Sequence, residues 1–552
     1  MTSLWILLIA MLMVVGGVLI LRLHAFLALI LGALTVAALT PTDAIVQSGL
    51  RSAGIGVVSI DAARHRATLK IGEKQKFLEG NHFVLVAGEK PHSLALGAHL
   101  MLKLIEKDKQ RVLVEIANGE SLALLQPGIL LLHHTQAADV RATANQTIGQ
   151  RIATGFGHTC RGVGILIAMA AIIGKCLLES GAAQRIVISA RHTVGEQHTP
   201  LAFLGSGFIV GIPVFFDTVF FLLMPLGKAM CVRTGKSYLL CILSIVAGAT
   251  MAHSLVPPTP GPMFVANELG VDLGAMMLGG GMVALCCALA GYGFAKFANA
   301  RMQIPIRPSA ELTAEELEAM AHLDENTLPS LGLSLLPILL PIVLIAGNTI
   351  FTLLSGNVPP VMKLLGDKNI AMTIAAAIAL ATFAWTKRAS GTEMAASVQV
   401  ALAGGGVIIL ITAAGGAFGH VLRQTDIAGT IQQWIPESQA GLLFIVIAFT
   451  ITMVVRVAQG SATVAMITAV GIIGPVATNI DLPYNRLYLA LAIGCGSKPL
   501  NWMNDSGFWI ISKMSGMTEG ETLKTVTVML TIMGLVGLGA TLLGATLLPL
   551  IS

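Results

Sequence analysis

The residues best suited to chemistry lie in a few short stretches: IPVFFDT (212–218), HSLVPPTPGP (253–262), AQGSAT (458–463) and SKPLNWMNDSGF (497–508). Lys498, and Arg456 just before the third stretch, are the cations suited to a carboxylate. Ser461, Thr463, Asn501 and Asn504 are uncharged groups suited to hydroxyls, and Thr259 lies among the prolines. Asp217 is an ionisable side chain in an otherwise apolar run, where a charge is costly unless paired or functional. It serves as a proton-coupling or gating group, or as the structural partner of a buried Lys or Arg. Asp505 belongs to the site or caps a helix. Lys498 can also snorkel outward, and Arg456 can pair with Asp217. His253 titrates near neutral pH and suits a proton relay, or it is a packing histidine. Gly261 and Gly460 serve backbone geometry. Trp509 reads as packing. These residue types suit contact with a small hydroxylated anion and the transfer of protons. GSATV (460–464) invites reading as a nucleophile motif, but no strand-to-helix elbow surrounds it. No catalytic residue, cofactor or metal site is assigned.

The elements that must position these residues are membrane spans. The chain is 55% hydrophobic and only 11% charged, with a mean hydropathy of +0.80. Soluble domains carry about 25% charged residues. Runs at 3–21, 25–40, 162–178, 273–294, 331–354, 370–385 and 525–550 are long enough to cross, or nearly cross, roughly 30 Å of hydrocarbon. They are too many for one signal peptide, and no small-residue cleavage pattern follows the first. The net charge of +5 fits membrane-flanking Lys and Arg. No basic run with interleaved aromatics exists, which excludes a nucleic-acid partner. The seven cysteines lack metal-ligand spacing, and Cys286–Cys287 reads as helix packing.

One long segment departs from this pattern. Residues 46–150 are mixed polar, with alternating stretches ATLKIG (67–72), HFVLVAG (82–88) and RVLVEIANG (111–119) separated by turn formers. They predict a small β-rich extramembrane inserted domain. Residues 298–330 read as a polar linker, with Ser309 capping a short acidic helix. Across that linker the sequence repeats. AAIIGKCLLESGAAQRI (170–186) aligns with GGAFGHVLRQTDIAGTI (415–431) at an offset of 245, and FFDTV (215–219) falls over GSATV (460–464) at the same offset. His253 then meets Lys498. Basic residues are enriched on the cytoplasmic side. Placing Arg22, Arg185, Arg191, Lys228, Arg233 and Lys236 inside makes 201–227 a re-entrant hairpin. Arg301, Lys387, Arg388, Lys513 and Lys524 agree. Five crossings then separate the repeats, which gives them inverted topology, with about ten crossings plus two hairpins in all.

The expected organisation is therefore an all-α polytopic membrane protein of two inverted repeats with re-entrant hairpins and broken helices, plus the β-rich insert. Residues 1–45 form the first two spans and 46–150 the insert. Residues 151–297 form repeat 1, with hairpin 201–227 and broken helix 238–270. After the 298–330 linker come scaffold spans (331–390) and repeat 2 (391–552), with hairpin 441–476 and broken helix 485–512. Irregular backbone at membrane depth survives only where it is buried in protein or lines a watery cavity. Half-helix N-termini point positive dipole ends at anions, while unwound carbonyls hold cations. The two tips and two breaks occupy corresponding places and are expected to converge.

These residues carry a resemblance. The hairpin with an acidic residue after two aromatics, the proline-rich break, GSATVAMIT (460–468) and NDSGFW (504–509) resemble the gluconate permease family of secondary transporters. The likeness spans 1–45 and 151–552. It departs at Asp217, where the family usually has Glu, at Thr259, where His is common, and at Asn501–Trp502, where sugar-acid members often have Ser-His. The resemblance implies import of gluconate or a related sugar acid, generally with protons, by an elevator-like mechanism. Under that reading Thr259, Gly261, Gly460, Ser461, Thr463, Lys498, Asn501, Asn504 and Asp505 hold substrate, while Asp217 and His253 handle protons. The expected setting is a bacterial inner membrane, with the insert on the periplasmic side and a homodimer formed by the scaffold spans. A sodium-coupled carboxylate transporter is the alternative, and a membrane sensor using the insert is a further one.

Overall fold

The computed structural model describes residues 3–21, 23–61, 66–70, 80–86, 99–107, 111–116, 130–195, 198–234, 238–302, 304–307, 327–355, 358–426, 441–477 and 482–550. Among them, eight helices are long and apolar enough to cross a membrane, or nine if Ala25–Leu39 and Thr42–Leu50, bent by 96°, count as one span. This is fewer than ten because Ser3–Leu19 has only 17 residues and other apolar helices are shorter still. The helix expected near Ser309 lies outside the described residues.

Two long helices, Ile148–Glu179 and Gly391–Arg423, pack along each other. Their closeness depends on small residues. A Cβ on Gly155 would meet His420 Cβ at 2.5 Å, and one on Gly416 would meet Thr159 Oγ1 at 1.8 Å. Small residues let backbones approach where lipid supplies no hydrophobic drive between helices. Each helix opens with a reciprocal capping box, Thr147 with Gln150 and Ser390 with Glu393.

Two helix–turn–helix pairs follow from breaks in the sequence. Thr199–Val210 and Phe216–Thr234 are joined through Pro213, and Gly441–Gln459 and Ala462–Ala477 through Gly460 and Ser461. Gly460 has φ +80°, a conformation that glycine adopts without a Cβ penalty. Two further helices are interrupted. Tyr238–Leu255 gives way at Val256–Thr259 and resumes at Pro260–Leu269. The prolines there cannot continue the hydrogen-bond ladder. The span they share, Tyr238–Leu269, is buried along nearly its whole length. Leu487–Gly496 likewise gives way at 497–505 before Ser506–Ser515.

Between Thr42–Ala53 and His134–Ala144 the chain forms β1 (Ile55–Asp61), β2 (Arg66–Lys70), β3 (Gly80–Val86), β4 (His99–Lys107), β5 (Arg111–Ile116) and β6 (Leu130–His133). They close into a barrel in the order β1-β2-β5-β4-β3-β6, with each pairing antiparallel. Closure leaves no unpaired edge. The two flanking helices pack on each other, burying Val46, Leu132, Ala137 and Val140.

Candidate functional site

The turns and breaks converge on a cavity of about 380 Å³, within the roughly 300–1,000 Å³ of small-molecule pockets. First-turn residues of three helices line it: Phe216 and Asp217, Ala462 to Val464, and Ser506 and Gly507. The first N–H groups of a helix have no intrahelical partner and carry the positive end of its dipole. The cavity thus faces three partial positive charges before any side chain is counted. Carboxylates meet two of these N-termini. Asp505 is an N-cap whose Oδ1 accepts from the Gly507 amide at 2.9 Å. Asp217 lies in the first turn of its own helix. The third N-terminus, at Ala462, carries only the hydroxyls of Ser461 and Thr463.

Four charged side chains face the cavity, and their pairing is unequal. Arg456 is buried at 4% exposure, donates through Nε to the Ser497 carbonyl at 3.0 Å, and forms an ion pair with Asp505 Oδ2. Asn501 Nδ2 donates to the same carboxylate oxygen. Lys498 is equally buried, at 3%, yet its ammonium has neither ion pair nor hydrogen bond among the described residues. Asp217 likewise has no ion pair among them. Asn501 Oδ1 is buried without a hydrogen-bond partner, as is His253 Nδ1. The His253 ring meets Phe215 edge-on at 5.8 Å. Among the described residues, what remains unpaired is one cation, one carboxylate, an amide oxygen and an imidazole nitrogen; the cation and the neighbouring hydroxyls match a molecule carrying both a carboxylate and hydroxyls.

Of the residues singled out in the sequence, Asp217, His253, Arg456, Ser461, Thr463, Lys498, Asn501 and Asp505 share this cavity. Thr259, Gly261, Gly460 and Asn504 are not among its lining and instead shape the backbone around it. The Thr259 hydroxyl donates to the carbonyls of His253 and Val256 at 2.7 and 2.9 Å, satisfying acceptors freed by the break. A Cβ on Gly261 would lie 2.1 Å from Met466 Cε, and one on Gly460 would lie 2.2 Å from the Asn504 carbonyl oxygen. Asn504 Nδ2 donates to the Val457 carbonyl at 2.7 Å, strapping the second break onto the end of Gly441–Gln459. Trp509 donates to the Met503 carbonyl at 2.7 Å and stacks edge-on with Phe508. Sequence reasoning missed Thr250, which lines the cavity one turn before His253; the three-residue spacing places both on one helix face. It also missed Ile408 and Ile411, whose apolar run carries no signal of a wall.

These features define a polytopic membrane protein with a polar cavity enclosed by interrupted helices. A family model described as GntP family permease matches residues 129–547, and the chain belongs to that family. It is 35% identical to a gluconate permease of Pseudomonas aeruginosa over 391 residues, covering 70% of this chain and 84% of that protein. It is 31% identical to a low-affinity gluconate transporter of Escherichia coli over 387 residues, covering 69% and 85%. Relatives of this kind are permeases and transporters, and the chain is a permease rather than an enzyme. Among solved structures, the Alcanivorax borkumensis YdaH transporter superposes with a TM-score of 0.51 at 14% identity, covering 76% of this chain and 90% of that one. That likeness concerns the fold alone.

Proposed function

We propose that the protein is a secondary active transporter that imports gluconate or a related sugar acid by proton symport across a bacterial inner membrane. The observation that carries this reading is the unequal pairing in the cavity: Arg456 is held by Asp505, whereas Lys498 and Asp217 have no ion pair among the described residues. With Asp217 ionised, the four charges sum to zero. With Asp217 protonated, Lys498 is the uncompensated charge, and a monocarboxylate restores neutrality inside low-dielectric surroundings. Proton and anion therefore favour each other's binding. The substrate carboxylate sits between Lys498 Nζ and the helix N-terminus at Ala462, and its hydroxyls reach Asn501, Ser461 and Thr463. The gluconate permease and transporter names of the relatives above support the substrate class.

The organisation proposed around this site is two inverted repeats. The capping boxes at Thr147 and Ser390, and the paired tips and breaks, support it. The helix–turn–helix pairs enter as re-entrant hairpins from opposite faces, and the hairpin unit moves against a scaffold that includes 1–40 and 331–386 and forms a homodimer. The barrel within 46–150 is an inserted module on the periplasmic side. Proteoliposomes test the coupling. Gluconate should accumulate under an imposed inward proton gradient and not under a sodium gradient alone. Accumulation driven by sodium alone would replace proton coupling with sodium coupling, and absence of gluconate binding or uptake would overturn the substrate class.

A further inference from the structure

The charged lining of the cavity comes from the two tips and the second break, with Asp217 at one tip, Arg456 at the other, and Lys498 and Asp505 on the break. Gly391–Arg423 contributes differently. Among the described residues it presents to the cavity only Ile408 and Ile411. They are three positions apart, on one face of the helix, and Gly415 continues that face one turn further. A Cβ on Gly415 would run into the side chain of Ile467, which itself lines the cavity. The close approach at Gly415 therefore joins the three isoleucines into one aliphatic wall. β-branched side chains have few χ1 choices in a helix, so this wall keeps its shape.

Both arginine and lysine cations of the cavity lie off this wall. Arg456 is held by Asp505, and Lys498 has no ion pair among the described residues. One ligand carboxylate therefore meets an unengaged cation, whereas a second would be left facing methyl groups. Taking a carboxylate out of water without a partner is far costlier than taking out a hydroxyl. The charge balance points the same way. With Asp217 protonated, Arg456, Lys498 and Asp505 leave a single positive charge, which a monoanion cancels and a dianion overshoots.

We propose that Ile408 and Ile411 are specificity-determining residues: the wall they form with Ile467 admits hydroxy acids carrying one carboxylate and rejects those with a carboxylate at each end. The inference rests on the transport reading above and narrows it, among sugar acids, to the aldonates. The ligand's hydroxyls face Ser461, Thr463 and Asn501, and its C–H groups lie against the isoleucines. The far end of the chain, uncharged in an aldonate, is the part that the wall reads. Selection here acts by penalising the wrong ligand and not by rewarding the right one.

Displacement of radiolabelled gluconate from the purified full-length protein by unlabelled glucarate, the same carbon chain with a carboxylate at each end, tests it. The wild type should bind glucarate at least about 100-fold more weakly than gluconate. Ile411→Lys places an ammonium on the wall and should bring glucarate to the affinity of gluconate or above. Ile408→Asn and Ile411→Asn add polar groups without charge, and each should narrow the gap by about tenfold. The ratio of the two affinities is the readout, since a general loss of packing weakens both ligands alike. If Ile411→Lys does not purify as a single species, the two Asn variants decide. Glucarate that competes as well as gluconate in the wild type, or a wild-type ratio in the folded variants, overturns the role of the wall while leaving the transport reading intact. A wild type that binds neither ligand overturns both.

Discussion

Replacing Lys498 by Met keeps most of the side-chain volume in a site that is 3% exposed and removes only the ammonium. A buried charge without a partner is costly, so its removal is expected to leave folding unharmed or improved. The purified Lys498→Met protein should unfold at the wild-type temperature or above, yet bind gluconate roughly 10- to 100-fold more weakly, as expected for a lost charge-assisted hydrogen bond. Calorimetry on one preparation reads both. Wild-type affinity in this variant would remove Lys498 from the site. Asp217 calls for a different readout. Asp217→Asn fixes the neutral state, so the cavity keeps its uncompensated cation at every pH. Substrate exchange across proteoliposomes should persist, while accumulation driven by a proton gradient should be abolished. Retained accumulation would move coupling to Asp505 or His253. The sequence alone left open whether Arg456 would pair with Asp217 or meet substrate. Its partner is Asp505, 49 positions further along the chain, and no spacing rule reaches that far.

At the scale of elements, the interruptions were the most legible feature. Pro257, Pro258, Pro260 and Pro262 cannot be wound into a helix interior, and the second break could be found by its place opposite the first. Length and convergence were harder to read. Gly391–Arg423 runs as one helix of 33 residues, although its apolar stretch gives no hint that Ile408 and Ile411 wall the cavity. Side chains meet there because backbones approach at small residues, a property of pairs of elements and not of either sequence. Gly460 tests one such approach. It combines φ +80° with the Asn504 carbonyl oxygen where a Cβ would stand. Backbone strain in that region costs about 1–3 kcal/mol, and the 501–505 strap must shift as well. Gly460→Ala should lower both the unfolding temperature and gluconate binding. Gly205→Ala is the control, since a Cβ there meets nothing within 4 Å and helical alanine is favoured over glycine by roughly 0.5–1 kcal/mol. If both variants lost binding equally, tip geometry would not be the cause.

For the whole molecule, the question is what the barrel contributes to transport. Its strands satisfy one another around a closed ring, so they demand no partner from the membrane helices. The helices that lead into and out of it are different. Thr42–Ala53 and His134–Ala144 share a small core, and Ser48 on the first of them donates to the Arg423 carbonyl at 2.6 Å. Arg423 in turn holds Glu268 at 2.6 Å. A deletion from about 52 to 145, within the 46–150 insert, would strip Val46 and Leu50 of their cover. Cutting between Gly54 and His133 instead preserves most of that core, losing only Leu132. The ends of this cut are close, because Ile55 pairs with Leu131 across β1 and β6, so a short Gly-Ser linker closes the gap without strain. The trimmed chain should insert, purify as a single species and carry gluconate in proteoliposomes at a rate within a few-fold of the full chain. If the trimmed protein neither accumulated in membranes nor transported, the barrel would be part of assembly itself. Retained insertion with transport lost would instead give the barrel a direct hand in the transport cycle, through the Ser48–Arg423–Glu268 connection.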